Sequence, residues 1–396
     1  MDADEVGWLR TEDGRAATAQ ASALLSAGSE LTALRTLGRH YEAPQARAAV
    51  ALAHGRTVAA KKFEDAERLW CDREAAEQAS HRFVSEHLAA RFTDSRYVAD
   101  LGCGMGADAL AMARYARVLG VDREEGRLAM LIANAEARGL SGRIEAHAAD
   151  LDTWDVPESV DAVWCDPARR EADGRRLRPE TWSPSLSRAI ELGRQAAGAG
   201  IKLAPGIDLD ALPKECEVEF VSMDRGLRAA VLWLGRLARS PRTATVLPTD
   251  GAPAVSLTGE ADRGETPLGE PGAYLYDPDP SVGRAGLVEM LAVEIGAWKL
   301  TEGIAYLSAD TASETLFARR YRVLSWVPFA ERRIAEALAS LGIARVEVTR
   351  RGSPVDTNAL ERRLNRGLRG DRAAAPAVVV LTRVQEMHVA IVCARE

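Results

Sequence analysis

The spacing of apolar positions changes twice along the chain. Through residues 1–92 it is helical. "SELTALRTLGRHY" sets Leu31, Leu34 and Leu37 three apart behind a capping serine, and "APQARAAVALAHGRTVAAKKF" and "DREAAEQASHRFVSEHLAARF" keep that period. From Tyr97, short apolar runs alternate with amphipathic stretches: strand "YVADLG", helix "ADALAMARYA", strand "RVLGVD", helix "EEGRLAMLIANAEARG", strands "RIEAHAAD" and "DAVWCDP", helix "SPSLSRAIELGRQAA" and strand "GIKLAP". This alternation predicts a parallel sheet covered on both faces. "EVEFVSM" and "RAAVLWLG" then follow each other across the turn "DRGL" with no helix between, which predicts a closing antiparallel hairpin. Residues 240–280, rich in Pro, Gly, Thr and Asp, read as linker or hairpin. After the helix "SVGRAGLVEMLAVEIGAW" comes a last unit: strand "YRVLSWVPF", helix "AERRIAEALASLG", strand "ARVEVTRR", helix "TNALERRLNRGLRG", and strands "PAVVVLTRVQ" and "EMHVAIVCAR".

Composition narrows the picture only a little. A chain of 396 residues exceeds one ordinary core, and 47% hydrophobic with 28% charged residues suits folded soluble domains. No apolar run approaches the roughly 18 residues of a membrane span. The start "MDADEVGWLR" lacks a basic segment followed by an apolar one. Cys71, Cys103, Cys165, Cys216 and Cys393 are far apart and form neither a CxxC pair nor a Cys/His cluster. A reducing, cytoplasmic setting without a metal or a membrane partner is therefore expected. The net charge of −7 excludes a wholly basic nucleic-acid binder. It is uneven, however: residues 321–396 carry thirteen Arg against eight Asp or Glu, leaving the rest near −12.

The candidate chemistry begins at "YVADLGCGMGADALAMAR", residues 97–114. Gly102, Gly104 and Gly106 alternate after a strand and before a helix, so backbone can approach a ligand closely. Asp100-x-Gly102-x-Gly104-x-Gly106 fits an S-adenosylmethionine site, while Gly102-x-Gly104-x-x-Ala107 also satisfies a relaxed dinucleotide fingerprint. Asp122, ending the next strand, suits a ribose in either reading. Two later residues separate them. Asp150 lies at the end of the third strand, in reach of an adenine amine, and Asp166-Pro167 ends the fourth. An acid followed by proline at that place recurs in methyltransferases acting on planar nitrogens, where a stiffened turn aims the carboxylate at an amine. A doubly wound sheet that closes with an antiparallel hairpin also favours the methyltransferase reading.

On "EQASH", "VADLGCGMGADAL", "VLGVDRE", "AHAAD", "DPARR", "YDPDPSVGRAGL" and the "VLSWVPF" to "AIVCAR" tail, the chain resembles class I S-adenosylmethionine-dependent methyltransferases with a C-terminal THUMP-like domain. The resemblance implies a helical region at 1–92, a Rossmann-like methyltransferase core at 93–240, a linker and ferredoxin-like α+β unit at 241–320, and a THUMP-like domain at 321–396. It implies that Gln78 and Ser80 cover the methionine end of the cofactor. THUMP modules are associated with structured RNA, so tRNA or rRNA becomes the expected partner. In this reading Asp100 holds the methionine ammonium, Asp122 the ribose and Asp150 the adenine amine. Asp166 accepts a hydrogen bond from the target nitrogen, and Arg169 and Arg170 grip a phosphate. Arg350, Arg351, Arg362, Arg363, Arg366 and Arg369 supply a phosphate-tracking surface.

One departure bears on the substrate. After Asp166-Pro167 stands Ala168, where many exocyclic-amine methylases have a second proline and an aromatic residue for a flipped base. Trp154, Trp164 and Trp182 are the candidate stacking faces, Trp164 being mid-strand and so expected in the core. Cys165, adjacent to Asp166 in a strand, is expected to point away from the crevice, against a thiol nucleophile. A methyltransferase for a small molecule or protein, and a non-catalytic RNA-binding protein that holds the cofactor, remain the alternative readings.

Overall fold

Asp2, Thr11, Ser29 and Asp72 each accept a backbone N–H at the start of a helix. Such caps satisfy donors that the first helical turn leaves orphaned, and they divide the early chain into short helices. These are α1 (Ala3–Leu9), α2 (Glu12–Ala27), α3 (Glu30–Leu37), α4 (Ala43–Ala59), α5 (Arg73–Gln78) and α6 (Arg82–Ala89). The computed structural model describes residues 1–168, 178–261, 266–369 and 375–396. They form two units, residues 1–218 with 228–239, and residues 219–227 with 240–396. In the first unit α4 is rich in alanine, and a Cβ added at Gly55 would lie 2.2 Å from the Cys71 carbonyl oxygen. Only glycine lets the chain leading into α5 approach so closely.

The same unit holds β1 (Tyr97–Leu101), α7 (Ala107–Met112), β2 (Arg117–Asp122), α8 (Glu125–Ala137), β3 (Ile144–Ala148), β4 (Ala162–Cys165), α9 (Leu186–Arg194) and β5 (Gly198–Leu203). These strands lie parallel in the order β3-β2-β1-β4-β5. β6 (Glu217–Met223) and β7 (Gly226–Gly235) follow, joined by a two-residue turn with Asp224 and Arg225 at φ 51° and 54°. Two left-handed residues give the hairpin-type turn whose twist suits the flanking strands. β7 then runs antiparallel to β5, as the pattern predicts. β4 and β5 are buried along their whole length, which explains their largely apolar runs, whereas β3 is exposed beyond Ile144 at the sheet edge. Register brings the strand ends level: Leu101 pairs with Val121 and Cys165, and Asp122 with Ala148. Residues that follow these ends therefore share one edge of the sheet, where open α/β sheets place their ligand crevice.

The second unit contains the antiparallel pair β8 (Arg242–Leu247) and β9 (Val255–Gly259). β10 (Tyr274–Pro278), α10 (Pro280–Ala285), α11 (Val288–Ile295), β11 (Trp298–Lys299), β12 (Leu307–Ala309) and β13 (Ala318–Pro328) come next. The chain ends with α12 (Glu331–Ser340), β14 (Val346–Arg350), α13 (Thr357–Gly367), β15 (Ala377–Val384) and β16 (Met387–Arg395). Strands from both the expected ferredoxin-like and the expected THUMP-like segments form one sheet, ordered β11-β12-β10-β13-β16-β15-β14. Along β15, Val379 and Leu381 pack with Ile334, Leu338, Leu360 and Leu364 of α12 and α13. Val378 and Val380 pack on the other face with Leu275, Tyr306 and Tyr321. Burial on both faces is why "AVVVL" shows no alternation. No helix among the described residues is long and apolar enough to cross a membrane.

Candidate active site

After β1 the chain turns through Gly102, Gly104 and Gly106 at φ 78°, 53° and 89°. Other L-residues resist this left-handed conformation by roughly 1–2 kcal/mol each. The three differ in what surrounds them. A Cβ at Gly106 would meet Leu131 Cδ1 at 2.3 Å, and one at Gly102 the Asp166 carbonyl oxygen at 3.3 Å, whereas one at Gly104 meets nothing within 4 Å. Gly104 is thus where the loop presents bare backbone to open space. The loop is pinned from below by Gly102 and Cys103 N–H groups donating to the Val121 carbonyl at 2.8 and 3.2 Å. Asn134 of α8, fully buried, donates to the Met105 and Trp70 carbonyls at 2.9 and 3.0 Å and accepts the Trp70 N–H at 2.7 Å.

Carboxylates gather around this loop. Asp100 is 1% exposed, and burial, followed by the charges of Asp108, Asp166 and Asp122, pushes its pKa well above the usual carboxylate range. Its buried Oδ2 has no hydrogen-bond partner. Asp122 accepts the Gly104 N–H on Oδ2 and the Glu124 N–H on Oδ1, each at 3.0 Å. Asp150 is exposed beyond β3, and its Oδ1 accepts the Asp152 N–H at 3.0 Å, shaping the turn that begins there. Asp166 follows β4, and its Oδ2 lies 2.5 Å from Lys202 Nζ. Pro167 behind it is buried.

Lys202 lies on β5 and is 8% exposed; its ammonium also donates to Ser80 Oγ at 2.8 Å. Ser80 Oγ in turn donates to Asp108 Oδ2 at 3.0 Å, and Asp108 further accepts from Ser85 Oγ at 2.5 Å and Trp164 Nε1 at 3.2 Å. Ser80 therefore enters the site, held at the end of α5. Lys62 fixes that end by donating to the Ala76, Glu77 and Ala79 carbonyls at 2.9, 2.6 and 2.7 Å, a cation placed where a helix C-terminus favours one. Gln78 is exposed on α5, its amide donating to Glu74 Oε1 at 3.1 Å on the same helix. Lys202, Asp108 and Asn134 carry almost no signal in the sequence. The one cue is a single charge inside the apolar run "GIKLAP".

The tryptophans divide clearly. Trp164 is 1% exposed and packs on Phe92 and Trp233 at 6.3 and 5.9 Å between ring centroids, a core residue as its mid-strand place predicts. Trp182 is buried too, while Trp154 is half-buried, 6.1 Å from His147. Cys165 is wholly buried, and burial, then Asp166 and Asp100, hold its thiol protonated, which removes it as a nucleophile. Arg169 and Arg170 lie outside the described residues.

In the second unit the arginines fall into two groups. Arg350 donates to the Ser353 and Val355 carbonyls at 3.2 and 2.6 Å, and Arg363 pairs with Glu331 at 2.6 Å. Arg351 reaches Asp277 at 3.0 Å and lies over the Tyr306 ring, while Arg225 takes the other Asp277 oxygen at 2.8 Å. Arg362 and Arg366 are exposed on α13, and Arg369 is exposed just beyond it.

The site suits a cationic ligand that brings N–H donors. Asp100 has a buried oxygen without a donor, Gly104 leaves the loop open, and several carboxylates lie close by. S-adenosylmethionine offers an ammonium, a sulfonium and a ribose, and the residues present fit it. A parallel sheet closed by an antiparallel strand, with this loop and these strand-end acids, is the arrangement of class I S-adenosylmethionine-dependent methyltransferases. The family description "Methyltransferase domain" matches residues 98–173 and "THUMP domain-like" matches residues 318–395. Two Mycobacterium tuberculosis proteins, from strains CDC 1551 / Oshkosh and ATCC 25618 / H37Rv, are each called an uncharacterized S-adenosylmethionine-dependent methyltransferase. Each is 36% identical over 320 residues, covering 78% of this chain and 84% of its own. A Porphyromonas gingivalis W83 crystal structure, assigned as a methyltransferase, matches with TM-score 0.72 at 17% identity over 90% of this chain and 92% of that one, a likeness of fold. The chain belongs to the S-adenosylmethionine-dependent methyltransferases with a THUMP-like C-terminal domain, and S-adenosylmethionine is its cofactor.

Proposed function

We propose that the enzyme methylates a base nitrogen in structured RNA, such as tRNA or rRNA. When bound, S-adenosylmethionine supplies an electrophilic methyl group on a positively charged sulfur. The remaining work is positional, because in-line displacement needs the nucleophile aligned and held. Asp100 takes the methionine ammonium on its unpartnered Oδ2, Asp122 a ribose hydroxyl, and Asp150 the adenine amine. Asp166, stiffened by Pro167, accepts a hydrogen bond from the acceptor N–H and so aims the nitrogen lone pair. Lys202 holds the other side of that carboxylate. Trp154, the half-buried tryptophan of the three, offers the stacking face that Ala168 does not.

The observation that carries the RNA assignment is the match of residues 318–395 to the THUMP-like description on the same chain as the Asp166-Pro167 site. The test compares modified nucleosides, by mass spectrometry, in RNA from cells with and without the protein. One methylated nucleoside disappears in the deletion strain, and the purified enzyme restores it using labelled cofactor. Asp166→Ala binds cofactor normally and restores nothing. Label that enters only protein or small-molecule fractions overturns the RNA assignment.

A further inference from the structure

We propose that Lys202 is a positioning residue for methyl transfer: its ammonium ties the Asp166 carboxylate to the Ser80 hydroxyl and so fixes the direction in which Asp166 meets its acceptor. This rests on the placement of Asp166 on the acceptor side of the cofactor, proposed above. A lysine on a fully buried strand is costly unless its charge is used. Here the charge lies 2.5 Å from Asp166 Oδ2 and 2.8 Å from Ser80 Oγ. The bonds continue from Ser80 to Asp108, which Ser85 and Trp164 also hold, so a line of alternating charge runs from the end of β4 to the end of α5 and the start of α7. Asp166 is thereby coupled to the helix end that Lys62 anchors.

The surroundings explain why a cation is needed. Asp100 from β1, Asp122 from β2 and Asp108 from α7 share this neighbourhood with Asp166. The buried thiols of Cys103 and Cys165 face the same acids and stay protonated. Lys62 is a nearby cation, its own pKa lowered first by burial and then by the charge of Lys202. Crowded carboxylates resist simultaneous ionisation, and an adjacent ammonium offsets that resistance. Without Lys202, the Asp166 carboxylate loses the group that holds its orientation.

Single-turnover transfer of labelled methyl into an extract of the deletion strain, counted separately in RNA, protein and small-molecule fractions, tests this in wild type, Lys202→Met and Lys202→Arg, with calorimetric S-adenosylhomocysteine binding alongside. In Lys202→Met the rate falls at least about tenfold while S-adenosylhomocysteine affinity changes less than about threefold, and Lys202→Arg, which keeps charged donors, recovers most of the rate. A Lys202→Met rate within about threefold of wild type, or equal losses of rate and affinity, in a variant with wild-type circular dichroism, overturns the proposal. If Lys202→Met does not fold, Lys202→Gln takes its place. The rates are compared in whichever fraction takes label, so label that enters only protein or small molecules rejects the RNA reading and leaves the Lys202 assignment standing.

Discussion

Asp100 shows at the scale of one residue how a binding site is held at a cost to the fold. Its carboxyl is buried beside other acids, so its folded-state pKa lies above its unfolded value. The sign follows: its favourable contribution is complete below the unfolded pKa and is lost as pH rises through the folded one. The ligand-free protein therefore becomes less stable with rising pH because of this group. Asp100→Asn flattens that dependence and raises stability at alkaline pH, while S-adenosylmethionine affinity falls at least about tenfold through loss of a charge-assisted bond. Urea denaturation across pH, paired with calorimetry, reads both effects. A variant that loses stability at high pH and keeps full affinity contradicts this account of the residue.

At the scale of the element, the glycine loop separates structural from ligand-facing positions. Gly106→Ala forces a Cβ against Leu131 in a left-handed conformation and lowers stability by about 3 kcal/mol. Gly104→Ala lowers it by about 1 kcal/mol, yet reduces cofactor affinity at least about tenfold because its methyl projects into open space. Denaturation midpoints and titration of both variants check this contrast. The loop itself was legible, since three alternating glycines between an apolar run and a helix have few other uses. So were the parallel strands and the antiparallel closure, which depend on local apolar runs and on the missing helix between "EVEFVSM" and "RAAVLWLG". Lys202, Asp108 and Asn134 were not legible. Their partners lie on other elements, and one lysine in a strand or one acid in a first helical turn has an ordinary local explanation. The roles of Arg350, Arg351 and Arg363 escaped for a similar reason. A sequence shows that a guanidinium is present but not which carbonyl, carboxylate or ring it meets.

At the scale of the whole molecule, charge divides along the chain. The last 76 residues are net basic and the remainder strongly acidic, so phosphate contact is expected to concentrate on arginines that have no internal duty. Arg362→Ala and Arg366→Ala weaken binding to structured RNA, and each lowers the slope of log affinity against log salt by about one. Arg351→Ala instead lowers the melting temperature, because it strips Asp277 of one partner. Filter binding at several salt concentrations, with thermal denaturation of the same variants, distinguishes the groups. Equal salt slopes in all three variants and wild type remove α13 from the RNA surface.

The environment of Asp277 also sets it apart from Asp166, with which it shares a following proline. Three aspartate–proline dipeptides occur, at 166–167, 277–278 and 279–280. Asp277 lies between two guanidinium groups, and Asp279 is occupied with the Ser281 N–H and hydroxyl at 2.9 and 2.8 Å. Substitution at the latter two is expected to give transfer that cooling restores, whereas substitution at the first is expected to abolish transfer at every temperature.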